Sequence, residues 1–391
     1  MRQRGQHRCR VLTADGEVEL KRQYFWCQGQ GGLYPVDRWV GIDGGRVSPG
    51  AREILCRLGM MQDFGQASED ARRIGNVPVC KERLRQIVEG EAQAIREDRQ
   101  SGVLAAQWSA EDARLSPGGP RRIYEGTDGV MVPTVTQQEK EKRRKDQVLR
   151  RQQRGSAGLG NTQPLPPPRP GSDERFKEMK IGIFYDQEKK HRHVFATEEP
   201  CDSYGPLLKI FAEQIGFARA EQSISLVDGA KWITTQVCAA LLCLKALLLD
   251  FYHLSQHVHA AAICCLGESA AAKLWAMARL QEFKERGVAP VLAAIDALHK
   301  QVRAQVKRKA LESLREYIVS RLEMLDYRQA LAQGWDIGSG PTEAMCKNLT
   351  LRLKRPGMKW DRDHAAAMMN LHAMYESGQA KAHWSGLKAA A

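Results

Sequence analysis

Two strand-like runs of this chain carry an aspartate followed at once by glycine: "RRIYEGTDGVMVP", with Asp128, and "SISLVDGAKWI", whose apolar part ends at Asp228. Between them lie two more strand-like runs, "EMKIGIFYDQ" and "HRHVFATEE", and an amphipathic helical stretch, "YGPLLKIFAEQIGF". "KALLLDFYHL" adds a further buried strand ending near Asp250. Short apolar runs interleaved with helical stretches predict an α/β fold. Past Asp250 the pattern is helical to about residue 334, as in "ALHKQVRAQVKRKALESLREYIVSRLEMLDY", which has helical periodicity and neither glycine nor proline.

The N-terminal part differs. Residues 1–48 read as a small β-rich unit: "EVELKRQYFW" is rich in strand formers and Gly/Pro turns follow. Its Cys27 has glutamine, not cysteine, three residues on, so only fragments of a zinc ribbon are present and no zinc site is expected. Residues 50–98 read as helices, "AREILCRLGMMQ", "GQASEDARRIG" and "CKERLRQIVEGEAQAI". The last two, joined by the break "NVPV", fit a helix-turn-helix whose second helix offers Lys81, Arg83 and Arg85 to DNA. They fit an ordinary helical hairpin with solvated arginines equally well. Between the first two strands of the α/β region, residues 136–174 combine the charged "EKEKRRKDQVLRR" with the Gly/Pro-rich "GSAGLGNTQPLPPPRPGS", which predicts a flexible insert. Residues 361–391 read as a helical tail.

The formal net charge of +13 favours a polyanionic partner, nucleic acid first. The longest apolar run, "VCAALLCLKALLLDFY", is broken by Lys245 and Asp250 and falls short of the roughly 20 residues a membrane span needs. No apolar run follows the basic start "MRQRGQHRCR", so no secretory signal is expected. Ten cysteines without regular spacing point to free thiols in a reducing cytoplasm.

Three carboxylates stand out. Asp128 lies in a strand and Asp228 ends one, each followed by glycine; an aspartate at a strand end projects into the crevice of an α/β sheet, and the glycine permits close approach. Glu343 follows a Gly-Ser-Gly-Pro turn at the head of a basic stretch holding Lys347, Arg352, Lys354, Arg355 and Lys359. Glu343, Lys347, Thr350 and Lys354 share one helical face, so a metal ligand and phosphate-binding cations would lie on one stripe. Hard divalent cations take such oxygen ligands, and two of them can clamp an in-line phosphoryl transfer. Taken singly, each acid has a plain structural reading: Asp-Gly is a common turn dipeptide, and an acid at a helix start is favoured by the helix dipole. His253 and His257 have a spacing that can bind zinc, but no glutamate lies between them and no third ligand is evident.

The blocks "GTDGVMVP", "LVDGAKWI", "LLDFYHLSQHV" and "IGSGPTEAMCKNLTLRLKRPGMKW" resemble, in this order, the motif blocks of bacterial insertion-sequence transposases of the ISKra group. The likeness runs over nearly all of residues 10–385. The last block is long and specific; the Asp-Gly blocks alone would be weak. The resemblance implies an RNase H-like catalytic domain over 121–360, a mixed sheet interrupted by a helical insertion at 265–334. Its DDE triad would be Asp128, Asp228 and Glu343, using Mg²⁺ or Mn²⁺. Asp250 and His253 match a D-x-x-H signature, and with His257 they would support the site or contact DNA. It further implies a transposase that binds terminal inverted repeats and target double-stranded DNA, cleaves and joins strands, and works as a homodimer or larger assembly beside the bacterial nucleoid. Paired cysteines usual in the family are missing where this chain has Cys27 and Gln30, which bears on end recognition more than on catalysis. The alternative is a catalytically inactive DNA-binding protein descended from a transposase.

Overall fold

The computed structural model describes residues 1–29, 31–42, 45–156 and 164–389. Strands β1 (Arg2–Thr13), β2 (Gly16–Cys27) and β3 (Gly31–Leu33) form an antiparallel sheet in that order. The larger sheet has five strands: β4 (Arg122–Pro133), β5 (Phe176–Asp186), β6 (Arg192–Thr197), β7 (Gln222–Val227) and β8 (Ala246–Leu249). Their spatial order is β6-β5-β4-β7-β8. β5 runs antiparallel to both its neighbours, while β4, β7 and β8 are mutually parallel. The hairpin-like succession of β4, β5 and β6 and the helical crossovers into β7 and β8 follow from the strand order read in the sequence.

Both faces of this sheet are covered, so its strands alternate between two cores instead of between core and water. Tyr124, Val130, Ile181, Ile183, Ile224 and Leu226 point into one core, and Ile123, Phe184, Phe195, Val227 and Leu249 into the other. The first core is closed by the helices Pro49–Met61, Phe64–Arg73, Lys81–Gln100, Gly340–Thr350 and Arg362–Glu376. The second is closed by Cys201–Ile215, Lys231–Ala240, Phe251–Leu266 and the helices that run from Ala270 to Ala332. The N-terminal helices are therefore a layer of the main body: Leu84, Val88, Ala92 and Ile95 are fully buried there.

Two segments differ from their sequence reading. The charged half of the insert is a helix, Gln137–Ser156, with no buried residue. It lacks an apolar stripe, so periodicity gives no signal. It is held by polar ties: Lys140 Nζ pairs with Asp361 at 2.8 Å, and Arg144 Nη1 donates to the Pro166 carbonyl at 2.7 Å. The Gly/Pro stretch falls partly on residues 157–163, outside the described residues. The second segment is the C-terminal tail, whose helix Arg362–Glu376 is a central packing element. It buries Ala365 through Leu371 and lies against β6 and the helix Lys81–Gln100. Asn370 and the fully buried Arg99 join these layers, with Arg99 Nη1 donating to Asn370 Oδ1 at 3.1 Å. Among the described residues no helix is long and apolar enough to cross a membrane.

Candidate active site

Pleating decides which way the two aspartates face. Tyr124, Gly126 and Asp128 share one face of β4, and Ile224 and Leu226 share it on β7, with Asp228 next in phase. Arg122 pairs with Gln222 and Glu125 with Ser225, a constant offset of 100 residues. Continued past the last pair, that offset brings Asp228 level with Asp128 where the two parallel strands end their pairing. Asp128 is half-buried; its Oδ1 accepts from the Gly129 N–H at 2.6 Å and its Oδ2 from the Cys346 thiol at 3.5 Å. Burial raises its pKa above the usual carboxylate range, and the negative charges of Asp228 and Glu343 raise it further. Asp228 and Glu343 thus both lie near enough to Asp128 for their charges to act on it.

Glu343 is exposed in the first turn of the helix Gly340–Thr350, which crosses β4 on the same face. The crossing is close because β4 has no side chain at Gly126: a Cβ there would stand 1.9 Å from Thr342 Oγ1. The helix buries Met345 and Leu349 against the sheet and turns Glu343 and Lys347 outward. Asp128, Glu343, Lys347, Thr350, Lys354 and Arg355 line one cleft of about 740 Å³.

Asp250 is 1% exposed and acts within the protein. One of its oxygens caps the helix Phe251–Leu266 by accepting from the His253 N–H at 2.6 Å; the other accepts from the Ser339 N–H at 2.5 Å. Phe251 N–H also donates to the Ile337 carbonyl at 2.9 Å. The "DFYH" block therefore anchors the turn that delivers Glu343, and its burial excludes a DNA contact by Asp250. On the other flank, Arg321 donates to the Gly229 carbonyl from Nε and Nη2 at 3.2 and 3.0 Å. Gly229 has φ +80°, and a Cβ there would meet Arg321 and Leu249 at 2.6 Å, so the residue after Asp228 must be glycine. Arg321 lies over Tyr317, and Tyr317 stacks on His257 at 3.9 Å. His253 is 5.7 Å from His257 between ring centroids, and burial lowers the His257 pKa. Among the described residues no three His, Cys, Asp or Glu side chains are already gathered as a metal-holding group.

The basic residues divide. Lys347 and Lys354 are exposed on the cleft, and Arg355 is exposed while donating to the Met61 carbonyl at 2.8 Å. Arg352, expected at a DNA-facing surface, is only 5% exposed. It is sandwiched between Phe64 and Trp360 and donates to the Gly59 carbonyl at 3.3 Å, and desolvation lowers its pKa to about 10. Its stem and guanidinium are packing material here, because the helix ends at Thr350 and the following turn points residue 352 inward. Lys359 pairs with Glu139, and it shares a second cleft with Lys81 and Arg85. Arg85 is held between Glu82 and Glu89 at 2.6 and 2.5 Å, and Arg83 donates to the Gly45 carbonyl at 3.0 Å.

Three residues behind or beside the site gave no sequence signal: Gly126, Cys346 and Glu125. Glu125 is fully buried on the opposite face of β4, accepting from Thr127 Oγ1 and Ser225 Oγ at 2.5 Å each. Burial pushes its pKa to about 7 from an ordinary 4.5, against the lowering effect of the two hydroxyls. The folded protein thus holds a proton that the unfolded chain releases, so stability is fully present below about pH 4.5 and is lost as pH rises through 7. The loss amounts to roughly 3 kcal/mol. Glu125→Gln keeps the shape and cannot ionise. In urea unfolding its stability is expected to gain on wild type between about pH 5 and pH 7 and to level off above that; parallel pH profiles would show that the buried carboxyl does not titrate.

Residues 186–386 match the family described as "Uncharacterised protein family (UPF0236)". No curated protein matches the sequence. Among solved structures, the chain is similar to the "Drosophila P element transposase strand transfer complex" at 12% identity, over 87% of this chain and 80% of that one. The TM-score is 0.29, a likeness too loose to identify the fold.

Proposed function

The chain belongs to the uncharacterised protein family UPF0236, whose match covers just over half of it, and from that footing we propose that it is a DDE-type DNA transposase with an RNase H-like catalytic core. What supports this reading is that the charges of Asp228, just past β7, and of the helix-borne Glu343 both act on Asp128 on the neighbouring parallel strand β4, and that Asp128 and Glu343 line one cleft with exposed lysines. The motif resemblance to insertion-sequence transposases of the ISKra group names the same three acids.

The donor set suits Mg²⁺ or Mn²⁺. All three groups are hard carboxylate oxygens, and Asp128, whose pKa burial raises and the charges of Asp228 and Glu343 raise further, is the kind of carboxylate a divalent cation stabilises in its charged form. When bound by these residues, such ions supply the charge that activates a water or hydroxyl and stabilises the departing 3′ oxygen. The rest belongs to the chain. Asp128 holds its place within β4, paired against β5, and Asp228 just past the end of β7. Asp250 and Arg321 fix the two loops that carry Glu343 and Asp228. Lys347, Lys354 and Arg355 neutralise the phosphates flanking the scissile bond. Hydrolysis of one phosphodiester frees a 3′ hydroxyl, which then attacks target DNA. Double-stranded DNA, as inverted repeats and as target, is the partner, and pairing of two ends calls for at least a dimer on DNA.

The test is nicking of a labelled inverted-repeat duplex with Mg²⁺ or Mn²⁺, run beside a gel shift of the same duplex. Metal-dependent nicking, followed by joining to a second duplex, is the expected result. A protein that shifts the duplex and nicks it under no metal is instead a binder descended from a transposase. Binding itself is expected to be steeply salt-dependent, with log K falling by about 0.9 per neutralised phosphate for each unit of log salt. Affinity that does not change between low and physiological salt would remove the electrostatic footprint assigned to the basic surface.

A further inference from the structure

The hairpin of β1 and β2 is docked at one end only. At its turn, Leu12 N–H donates to the Arg46 carbonyl and Ser48 N–H to the Leu12 carbonyl, at 3.0 and 2.9 Å. Asn76 Nδ2 adds a bond to the Asp15 carbonyl at 3.3 Å. A small core of Cys9, Val11 and Ile42 lies beneath that half. In the other half, every residue from Arg2 to Arg8 is exposed.

The exposed half is nonetheless braced by contacts on one face. On that face His7 stacks on Tyr24 and hydrogen-bonds the Tyr34 hydroxyl at 2.6 Å, while Arg22 lies 3.9 Å from the Tyr34 ring and pairs with Asp37. The opposite face follows from the register. Arg8 stands directly across from Lys21, Gln6 from Gln23 and Gln3 from Phe25. Like charges directly opposite on a sheet destabilise it. Further along the same face Arg10 stands across from Glu19; Arg8 pairs with Glu19 at 3.1 Å and Arg10 with Glu17 at 4.0 Å, two carboxylates against three cations, and neither carboxylate pairs with Lys21. A face of arginine, lysine and glutamine carries the side chains that hydrogen-bond base edges, Arg and Lys to guanine and Gln to adenine; Gln23 Nε2 donates to the Gly5 carbonyl at 2.6 Å and would exchange that bond for one to a base.

We propose that this face, centred on Arg8, Lys21, Gln6 and Gln23, enters the major groove of the DNA that the chain binds, as a sequence-reading β-ribbon. The proposal rests on the DNA-binding part of the function proposed above and adds a reader outside the helices Phe64–Arg73 and Lys81–Gln100. The groove of B-form DNA, about 12 Å wide, admits a two-stranded ribbon. The deep, narrow major groove of A-form RNA does not. A negative groove also relieves the Arg8–Lys21 repulsion, which the isolated ribbon carries unrelieved on the lysine side.

The experiment uses the full chain and duplexes that it selects from a random pool, so it does not depend on any inverted repeat. The variant Arg8→Ala/Lys21→Ala/Gln6→Ala/Gln23→Ala is compared with wild type by fluorescence anisotropy. A second variant, Arg8→Gln/Lys21→Gln, guards against loss of fold, and thermal melting of both is expected to equal or exceed wild type. Affinity for the selected duplex should fall about 100-fold, in line with the loss of two base-reading contacts, while affinity for unselected duplex changes about threefold or less. Methylating guanine N7 in the selected site should weaken wild type and leave the quadruple variant indifferent. Undiminished selectivity in the quadruple variant overturns the proposal, as does equal loss on an RNA duplex. A chain that selects DNA through the ribbon but never nicks it overturns the transposase reading alone; one that nicks, with a ribbon variant as selective as wild type, overturns this proposal alone.

Discussion

Glu343→Gln is expected to bind inverted-repeat DNA about as well as wild type and to nick it at least about 10²–10³-fold more slowly. Glu343 is exposed, so the amide replaces the carboxylate without disturbing the core. Its place in the first turn of a helix means that the lost charge costs at most about 1 kcal/mol of dipole interaction. Binding draws on the lysines of the cleft and on the N-terminal surface, which the substitution leaves intact. Cleavage draws on the charge that retains the cation, which an amide cannot supply. Asp128→Asn and Asp228→Asn should show the same split between binding and cleavage. The three losses should not add, because one disabled metal site is as inactive as three. A Glu343→Gln protein that nicks at the wild-type rate makes the carboxylate a helix-terminal acid and nothing more.

Much of the five-stranded sheet was legible because its strands are short apolar runs with clear ends. The runs around Asp128, Asp228 and Asp250 needed only pleating and order to be placed. Of the small sheet only β2, the "EVELKRQYFW" run, was legible; β1 is polar and exposed from Arg2 to Arg8, so no apolar run marks it. What could not be read were features that depend on neighbours distant in sequence. Arg352 looks like its basic neighbours in "LTLRLKRPG", and only the end of the helix at Thr350 and the aromatic walls of Phe64 and Trp360 turn it inward. The helix Arg362–Glu376 is alanine- and methionine-rich and reads as amphipathic at best, but two layers converge on it and bury it nearly all round. The helix Gln137–Ser156 has the opposite problem: its charge predicts solvent exposure, which is correct, and hides the helix. Asp250 reads as a site residue by its motif and turns out to hold two backbone N–H groups in the interior. The sequence thus named the site's charged parts more readily than the uncharged contacts that set their spacing.

Gly126→Ala is expected to cost about as much activity as removing a triad carboxylate, although it touches no charge. The added methyl would lie 1.9 Å from Thr342 Oγ1 and 3.1 Å from Thr342 Cβ. Backbone of β4 cannot yield, since it is paired on both sides there or one residue away. The helix Gly340–Thr350 must therefore lift, and Glu343, the next residue along, moves with it. Overpacking of this kind costs roughly 1–3 kcal/mol of stability. A shift of about 1 Å in a catalytic group costs on the order of 10²-fold in rate. Thr342 supplies its own control. Its hydroxyl is buried without a hydrogen-bond partner, so Thr342→Ala removes an unsatisfied polar atom and is expected to be near neutral for stability and nicking. In the double variant the nearest obstacle is gone and the remaining contact, at 3.1 Å, needs a shift of only a few tenths of an ångström. Gly126→Ala/Thr342→Ala should therefore recover most of the melting temperature and most of the nicking rate. That recovery is a coupling between two uncharged atoms on different elements, measurable as a double-mutant cycle in both quantities. Additive losses in the cycle would mean that the strand and the glutamate helix do not meet at Gly126, and the placement of Glu343 beside Asp128 would fall with that contact.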